Sequence, residues 1–308
     1  MKQGIFDKVC ELPDSAVKGR YDRLLGIDDI KERILKESLL MLDPTSLRSW
    51  IDAHHRGASA LERSFKERVP LLLFAGDVGT GKTELAETMG DAIARSLGIG
   101  ATFYSLSLSA RGTGAVGEMT SLLAAAFAEL HSAGTKGRRK NSRPAHVTVL
   151  LVDEADALAQ SREASQMHHE DRAGVNAIIR GVDDLAEEEL PVLVVMCTNR
   201  LSAIDPAVRR RAAVTVEFQR PNEIQRRFIL ERAFDGVGFT AKQLDQLVEA
   251  TGPQSKTSFG VTFSDLVQRF VPQVVLACFP EKPVTFAVAH QLAREFMPTP
   301  PFRENQNL

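Results

Sequence analysis

The sequence predicts an α/β fold, in which a mostly parallel sheet covered by helices is followed by a small all-helical lid. Three observations carry this. Apolar runs of strand length alternate with amphipathic helical patterns from about 69 to 218. The first run leads into Gly76-Asp77-Val78-Gly79-Thr80-Gly81-Lys82-Thr83, which fits G-x-x-x-x-G-K-[ST], and then into a helix. After Pro221 only helical periodicity continues.

The elements follow in order. Residues 30–42 read as an amphipathic helix, and 56–68 as a polar surface connection. Strands are expected at 71–75, 101–108, 148–152, 192–197 and 214–218. Helices between them include 84–93 and 122–131, where Leu122, Leu123, Ala126, Phe127 and Leu130 share one face. In the lid, Asn222 caps a helix through 234, another spans 241–250, Ser264 caps the next, and 286–296 makes the last. The domains expected are an N-terminal extension over 1–20, a large α/β domain over 21–220, the lid over 221–296 and a poorly ordered tail over 297–308.

Composition narrows the class. The chain has 308 residues, 44% hydrophobic and 25% charged, enough for a sizeable core. Its apolar runs are too short to span a bilayer, and 1–12 carries charges through any signal core, so a cytoplasmic protein with no membrane partner is expected. Cys10, Cys197 and Cys278 lack metal-ligand spacing. A net charge of −2 gives no global attraction for nucleic acid. The basic run 136–140 with Arg143 reads as a solvated loop, and His168-His169 beside Glu170-Asp171 as a polar loop.

The glycine-rich segment is a phosphate cradle by its chemistry. Gly76, Gly79 and Gly81 let the backbone wrap closely, and the helix N-terminus aims N–H groups at an anion. Lys82 reaches β- and γ-phosphates, and the Thr83 hydroxyl holds magnesium, so ATP and Mg2+ are the expected cofactors. Asp153 and Glu154 end a buried strand, where open α/β sheets present ligand sites. There Asp153 suits the metal and Glu154 the attacking water. Asn199, at the end of the next buried run, suits the water and a γ-phosphate oxygen. The cluster Arg209-Arg210-Arg211 is placed to deliver a guanidinium to a neighbouring subunit's nucleotide, which requires a ring.

With these four ordered motifs the chain resembles the AAA+ ATPases over about 21–296. The resemblance implies a Walker A loop at Gly76 to Thr83, with Asp77, Val78 and Thr80 among its contacts, Walker B at Asp153 and Glu154, sensor 1 at Asn199, and an arginine finger at Arg211 with Arg210 as a second. Leu25, Gly26 and Ile27 lie beside adenine on this likeness. The lid element Gly260-Val261-Thr262-Phe263-Ser264-Asp265-Leu266 resembles the classical AAA clade, which favours protein remodelling over DNA loading. Within it, Asp153 to Leu158, Ser161-Arg162, Arg172, Val175-Asn176-Ala177 up to Asp183, and Arg211-Ala212 resemble the pachytene-checkpoint (thyroid-receptor-interactor) remodellers of HORMA-domain proteins. The chain has the size of their short bacterial members, which lie in anti-phage nucleotidyltransferase operons.

That resemblance implies a homo-hexamer that hydrolyses ATP to unfold or disassemble a HORMA-domain client, with a nucleotidyltransferase as a further partner. The alternatives are a nucleic-acid-dependent loader and a nucleotide switch without turnover. Gly112 to Glu118 aligns with pore loop 1, but Ala115 replaces the usual aromatic, so Ala115-Val116 either grip a threaded chain or form a passive turn. The twenty residues before Tyr21 are too few for the relatives' recognition domain, which leaves the ring surface, pore or an adaptor to recognise the client.

Overall fold

A computed structural model describes residues 4–55, 59–66, 68–106, 118–139, 142–157, 169–253 and 259–302. The elements run β1 (Phe6–Leu12), α1 (Ser15–Asp22), α2 (Asp28–Leu42), α3 (Pro44–His54), α4 (Ser59–Lys66), β2 (Leu71–Gly76), α5 (Lys82–Leu97), β3 (Gly100–Leu106), α6 (Glu118–Gly137), β4 (His146–Val152), α7 (His169–Glu187), β5 (Val192–Thr198), α8 (Pro206–Arg211) and β6 (Val214–Phe218). After them come α9 (Glu223–Ala233), α10 (Ala241–Ala250), a π-helical stretch (Asp265–Phe270) continuing into α11 (Val271–Cys278), and α12 (Phe286–Glu295).

The sheet has six strands in the order β1-β3-β4-β5-β2-β6. The pairs β3/β4, β4/β5 and β2/β5 are parallel, and β1 lies antiparallel to β3 at the edge. Strands β2 and β5 read as apolar runs, and β4 as one interrupted by the buried Thr148, because both faces are covered. On one face Leu71, Leu73, Leu150, Val152, Val192, Val194 and Met196 pack with Leu123, Phe127 and Leu130 of α6 and Val175, Ile178 and Val182 of α7. The intervening residues Leu72, Phe74, Val149 and Leu151 are equally buried. Chain order reverses around β2: the chain leaves it for β3 on one side and later crosses to β6 on the other. Such a switch point is where open sheets of this kind bind ligands, at the C-terminal strand ends.

The chain divides into two compact units. The first gathers Met1–Asp22, Asp29–Ala75 and Thr83–Glu217, and holds the sheet. The second gathers Arg23–Asp28, Gly76–Lys82 and Phe218–Leu308. Its core is helical, with Leu230, Leu247, Val261, Leu266, Phe270, Val274 and Ala289 buried together and Leu25 packed against them. The helices α9 and α10 open with capping boxes, Asn222 with Gln225 and Thr240 with Gln243.

Several expectations change. The stretch assigned to an extension, 1–20, supplies β1 and most of α1. Asp14 N–H there donates to the buried Asp91 of α5 at 2.7 Å, and Arg20 binds Glu84 and Glu87. The alternation in β1 is short and half-exposed, which hides an edge strand from periodicity. Much of the expected surface connection is the helix α4, with Glu62 bound to Arg48 of α3. His169, Glu170 and Asp171 open α7 instead of lying in a loop. Ser264 makes no cap bond; Thr262 does, its hydroxyl accepting from Asp265 N at 3.0 Å while Asp265 accepts from Thr262 N. The following turn widens to π geometry, with Val271 N reaching Leu266 O, ahead of Pro272, whose ring has no N–H and crowds the carbonyl one turn back. Of the basic run, Lys136 lies at the end of α6, Arg138 and Arg139 are exposed after it, Lys140 lies outside the described residues, and Arg143 is paired to Asp43. The segments carrying Ala115-Val116, His168 and Ser161-Arg162 lie outside the described residues.

Candidate active site

The phosphate loop belongs to the second unit up to Lys82, and Thr83 begins the first unit's share of α5. Gly76, Gly79 and Gly81 all have positive φ, at 144°, 74° and 97°. Space as well as dihedral demands glycine: a Cβ on Gly76 would lie 2.2 Å from the Phe218 carbonyl oxygen, and one on Gly79 would lie 2.8 Å from Thr262 Oγ1. Asp77 organises the loop. Its carbonyl accepts from Thr80 Oγ1 and from Lys82 Nζ, both at 2.7 Å, so the ammonium is folded across the loop's concave side. Thr80 and Lys82 are buried, Val78 is exposed and Thr83 half-buried.

Gly26 and Ile27 sit in the same unit. Gly26 has φ 80° and its carbonyl accepts from Gln225 of α9, while Ile27 is buried. The nearest atoms to a Cβ on Gly81 are Leu24 Cδ2 and Ile27 Cδ1, so this segment lines the loop's flank.

In the first unit, sheet register brings the other residues together. Ala75 pairs with Thr198 and Val152 with Met196, so β2, β4 and β5 end side by side. Asp153 and Glu154 follow β4, and Asn199 follows β5. Asp153 Oδ1 accepts from Glu154 N at 2.9 Å. Glu154 is exposed with φ 48°, a left-handed conformation that costs a non-glycine residue about 1 kcal/mol and persists where surroundings over-determine it. Those surroundings include Asp156, in the short 3-10 turn Ala155–Ala157. Thr198 Oγ1 donates to Asp156 Oδ1 at 3.0 Å and accepts from Arg200 N at 2.9 Å, while Arg200 Nη2 donates to Asp156 Oδ2 at 3.2 Å. Asn199 is thereby bracketed by two residues bonded to the turn that carries Glu154.

Arg209, Arg210 and Arg211 form the last turn of α8, which Asp205 caps by accepting from Ala207 N at 2.7 Å. Arg210 is exposed. Arg211 is half-buried and donates through Nε to both oxygens of Asp183 on α7, at 2.8 and 3.0 Å, and that hydrogen bond raises its pKa above the ordinary guanidinium value. The two candidate fingers therefore differ: one is anchored within its own chain and the other is exposed.

Sequence reasoning missed the supports. An acidic Asp77 inside a phosphate loop needs a cation to offset it, and that unusual charge was the available signal. Arg220 is the cation: Nε reaches Asp77 Oδ2 at 2.9 Å, Nη2 joins it, and Nη1 donates to Gly260 O at 2.6 Å. Among the described residues no group of three or more His, Cys, Asp or Glu could hold a metal, and no helix is long and apolar enough to cross a membrane.

Comparison with known proteins agrees with this architecture. Residues 72–220 match the ATPase family associated with various cellular activities (AAA). CD-NTase-associated protein 6 of Escherichia coli (strain MS 115-1) is 47% identical over 302 residues, 98% of this chain and 97% of that protein, and its counterpart in strain KTE188 is 37% identical over 300, covering 97% and 98%. A chain in the structure of the E. coli MS115-1 HORMA:CdnC:Trip13 complex superposes with a TM-score of 0.91 at 47% identity, covering 97% of this chain and 98% of that one. Rhizobiales Trip13 superposes with a TM-score of 0.78 at 40% identity, covering 96% and 100%. Caenorhabditis elegans PCH-2, at 14% identity and TM-score 0.66, shares the fold. The chain is an ATPase and belongs to the AAA family, with CD-NTase-associated protein 6 and Trip13 among its relatives.

Proposed function

We propose that this ATPase works as a homo-hexameric ring that remodels a HORMA-domain protein, alongside a CD-NTase, in cytoplasmic anti-phage signalling. The observation that carries the reading is the end-to-end similarity, 47% identity at TM-score 0.91, to a chain solved in a complex containing HORMA and CdnC components. Similarity over 97% of the chain includes surfaces outside the nucleotide motifs, where a client is recognised.

The chemistry divides among named residues. Backbone N–H groups of Gly76 to Gly81 and the Lys82 ammonium hold the phosphates. Gly26 and Ile27 take the adenine. Thr83 and Asp153 offer hydroxyl and carboxylate oxygens, the hard donors magnesium takes, and the ion when bound neutralises charge on the phosphate oxygens. Glu154, held in its strained turn, accepts hydrogen bonds from the attacking water and aligns it with the γ-phosphate. Asn199 holds the water's other side. Arg210 reaches a neighbouring subunit's nucleotide, while Arg211, tied to Asp183, sets the direction of that helix. The domain at 21–220 carries hydrolysis and the one at 221–296 acts as its lid.

The test is steady-state ATP hydrolysis with and without a purified HORMA-domain protein, with Glu154→Gln as the blank. Stimulation by that protein is expected. Turnover indifferent to it and raised by DNA would replace this reading with a nucleic-acid loader.

A further inference from the structure

Residues 297–302 run Met-Pro-Thr-Pro-Pro-Phe. Proline has no backbone N–H, so from 298 to 302 only Thr299 and Phe302 own one. Both are spent on carboxylates of the second unit. Thr299 N donates to Asp265 Oδ2 at 3.0 Å and Thr299 Oγ1 to Asp265 Oδ1 at 2.7 Å. Phe302 N donates to Asp77 Oδ1 at 3.0 Å. Asp265 is 1% exposed and opens the π-helical stretch, and Asp77 is the second residue of the phosphate loop. Within the tail expected to be loose, residues 298–302 are fastened at both of their backbone donors.

The arrangement answers an electrostatic problem. A carboxylate inside a loop that receives phosphates repels its own ligand, in proportion to its freedom to turn toward it. Here both oxygens of Asp77 are engaged: Oδ2 by Arg220 from outside the loop, and Oδ1 by the loop's own Val78 N at 2.9 Å and, from outside, by Phe302 N. With the carboxylate so engaged, the Asp77 carbonyl accepts from Lys82 and Thr80. Three prolines restrict the strap before it docks, so fastening it costs little conformational entropy.

We propose that residues 297–302 are a positioning strap for the phosphate loop, acting through the Phe302 N–H on Asp77 and anchored by Thr299 on Asp265. The proposal rests on residues 76–83 being the ATP phosphate site. It makes Phe302 and Thr299 positioning residues, which act on nucleotide only through the loop.

The experiment compares the full-length chain with Phe302→Pro, which deletes the donor, and Phe302→Ala, which keeps it and removes the ring. Amide hydrogen exchange of residues 77–82 in nucleotide-free protein is read first, followed by the Kd for a fluorescent ADP and the ATPase KM and kcat. Phe302→Pro is expected to speed exchange in the loop and to raise Kd and KM about fivefold with kcat within about twofold, a fraction of the value of one hydrogen bond to a charged acceptor. Phe302→Ala is expected to give less than half that shift. Wild-type exchange and affinity in Phe302→Pro, equal shifts in the two variants, or a lowered melting temperature without any change in exchange or Kd would each overturn the strap. Should Phe302→Pro not fold, Thr299→Val, which removes one bond to Asp265 and keeps every backbone donor, is expected to raise Kd about twofold, and an unchanged Kd would overturn it. A wild-type chain that bound no ADP would instead remove the phosphate-site reading, while the exchange comparison would still decide whether the strap holds the loop.

Discussion

The phosphate loop and the carboxylate turn solve the same problem, placing polar groups at a strand end, by different means. The loop is main chain: its shape comes from glycines, and the partners of its Asp77, Arg220 and Phe302, arrive from 143 and 225 residues away. The turn is side chain: Glu154 and Asn199 are fixed by rigid parallel strands and cross-braced through Asp156, over separations of 42 and 44 residues. Changes in the loop therefore act through sterics and folding. Changes in the turn act through charge, with the fold intact.

The largest effect expected is on the turn. Glu154→Gln keeps the size of the side chain and removes the base, so kcat should fall by about 10²–10⁴-fold while ADP affinity and the unfolding midpoint stay at wild type. Parallel kinetics and calorimetry check this. A large loss of stability in that variant would break the contrast between the two regions.

On the loop, Gly76→Ala puts a methyl against the Phe218 carbonyl at a φ of 144° and should lower unfolding free energy by ~3 kcal/mol, read by urea denaturation. A stable Gly76→Ala protein with only a kinetic defect would show the loop to be as modular as the turn.

The smallest effect sharpens the contrast. Asp156→Asn retains an acceptor for Thr198 and loses the charge that draws Arg200, so kcat should fall about fivefold with ADP Kd unchanged. A change in Kd without one in kcat would show that the brace serves the nucleotide and leaves Glu154 and Asn199 untouched.

What could be read in advance follows from how local each feature is. Strands β2, β4 and β5 are largely apolar runs, so their existence was plain and their ends moved by one or two residues. Glycine spacing announced the loop. In contrast, β1 is a half-exposed edge strand whose identity depends on pairing with β3 across about 90 residues, as in Leu12 with Ala101. The strap at 297–302 looked loose because prolines and polar residues read as disorder, and its two donors acquire meaning only beside Asp265 and Asp77.

By itself the sequence determined the α/β class and the glycine-rich G-x-x-x-x-G-K-[ST] loop between strand and helix, and it singled out the acids, amide and arginines proposed to carry the chemistry, because those readings depend on residue type at short spacing. Tertiary structure decided that Asp77 pairs with Arg220, that Arg211 is anchored by Asp183 while Arg210 is exposed, that Glu154 adopts a left-handed conformation, and that Thr198, Arg200 and Asp156 lock two strand ends together. The reason is physical. Those features are pairings between charged or polar groups far apart in the chain, whose partners are chosen by sheet register and helix packing, and no local pattern encodes which carboxylate meets which guanidinium.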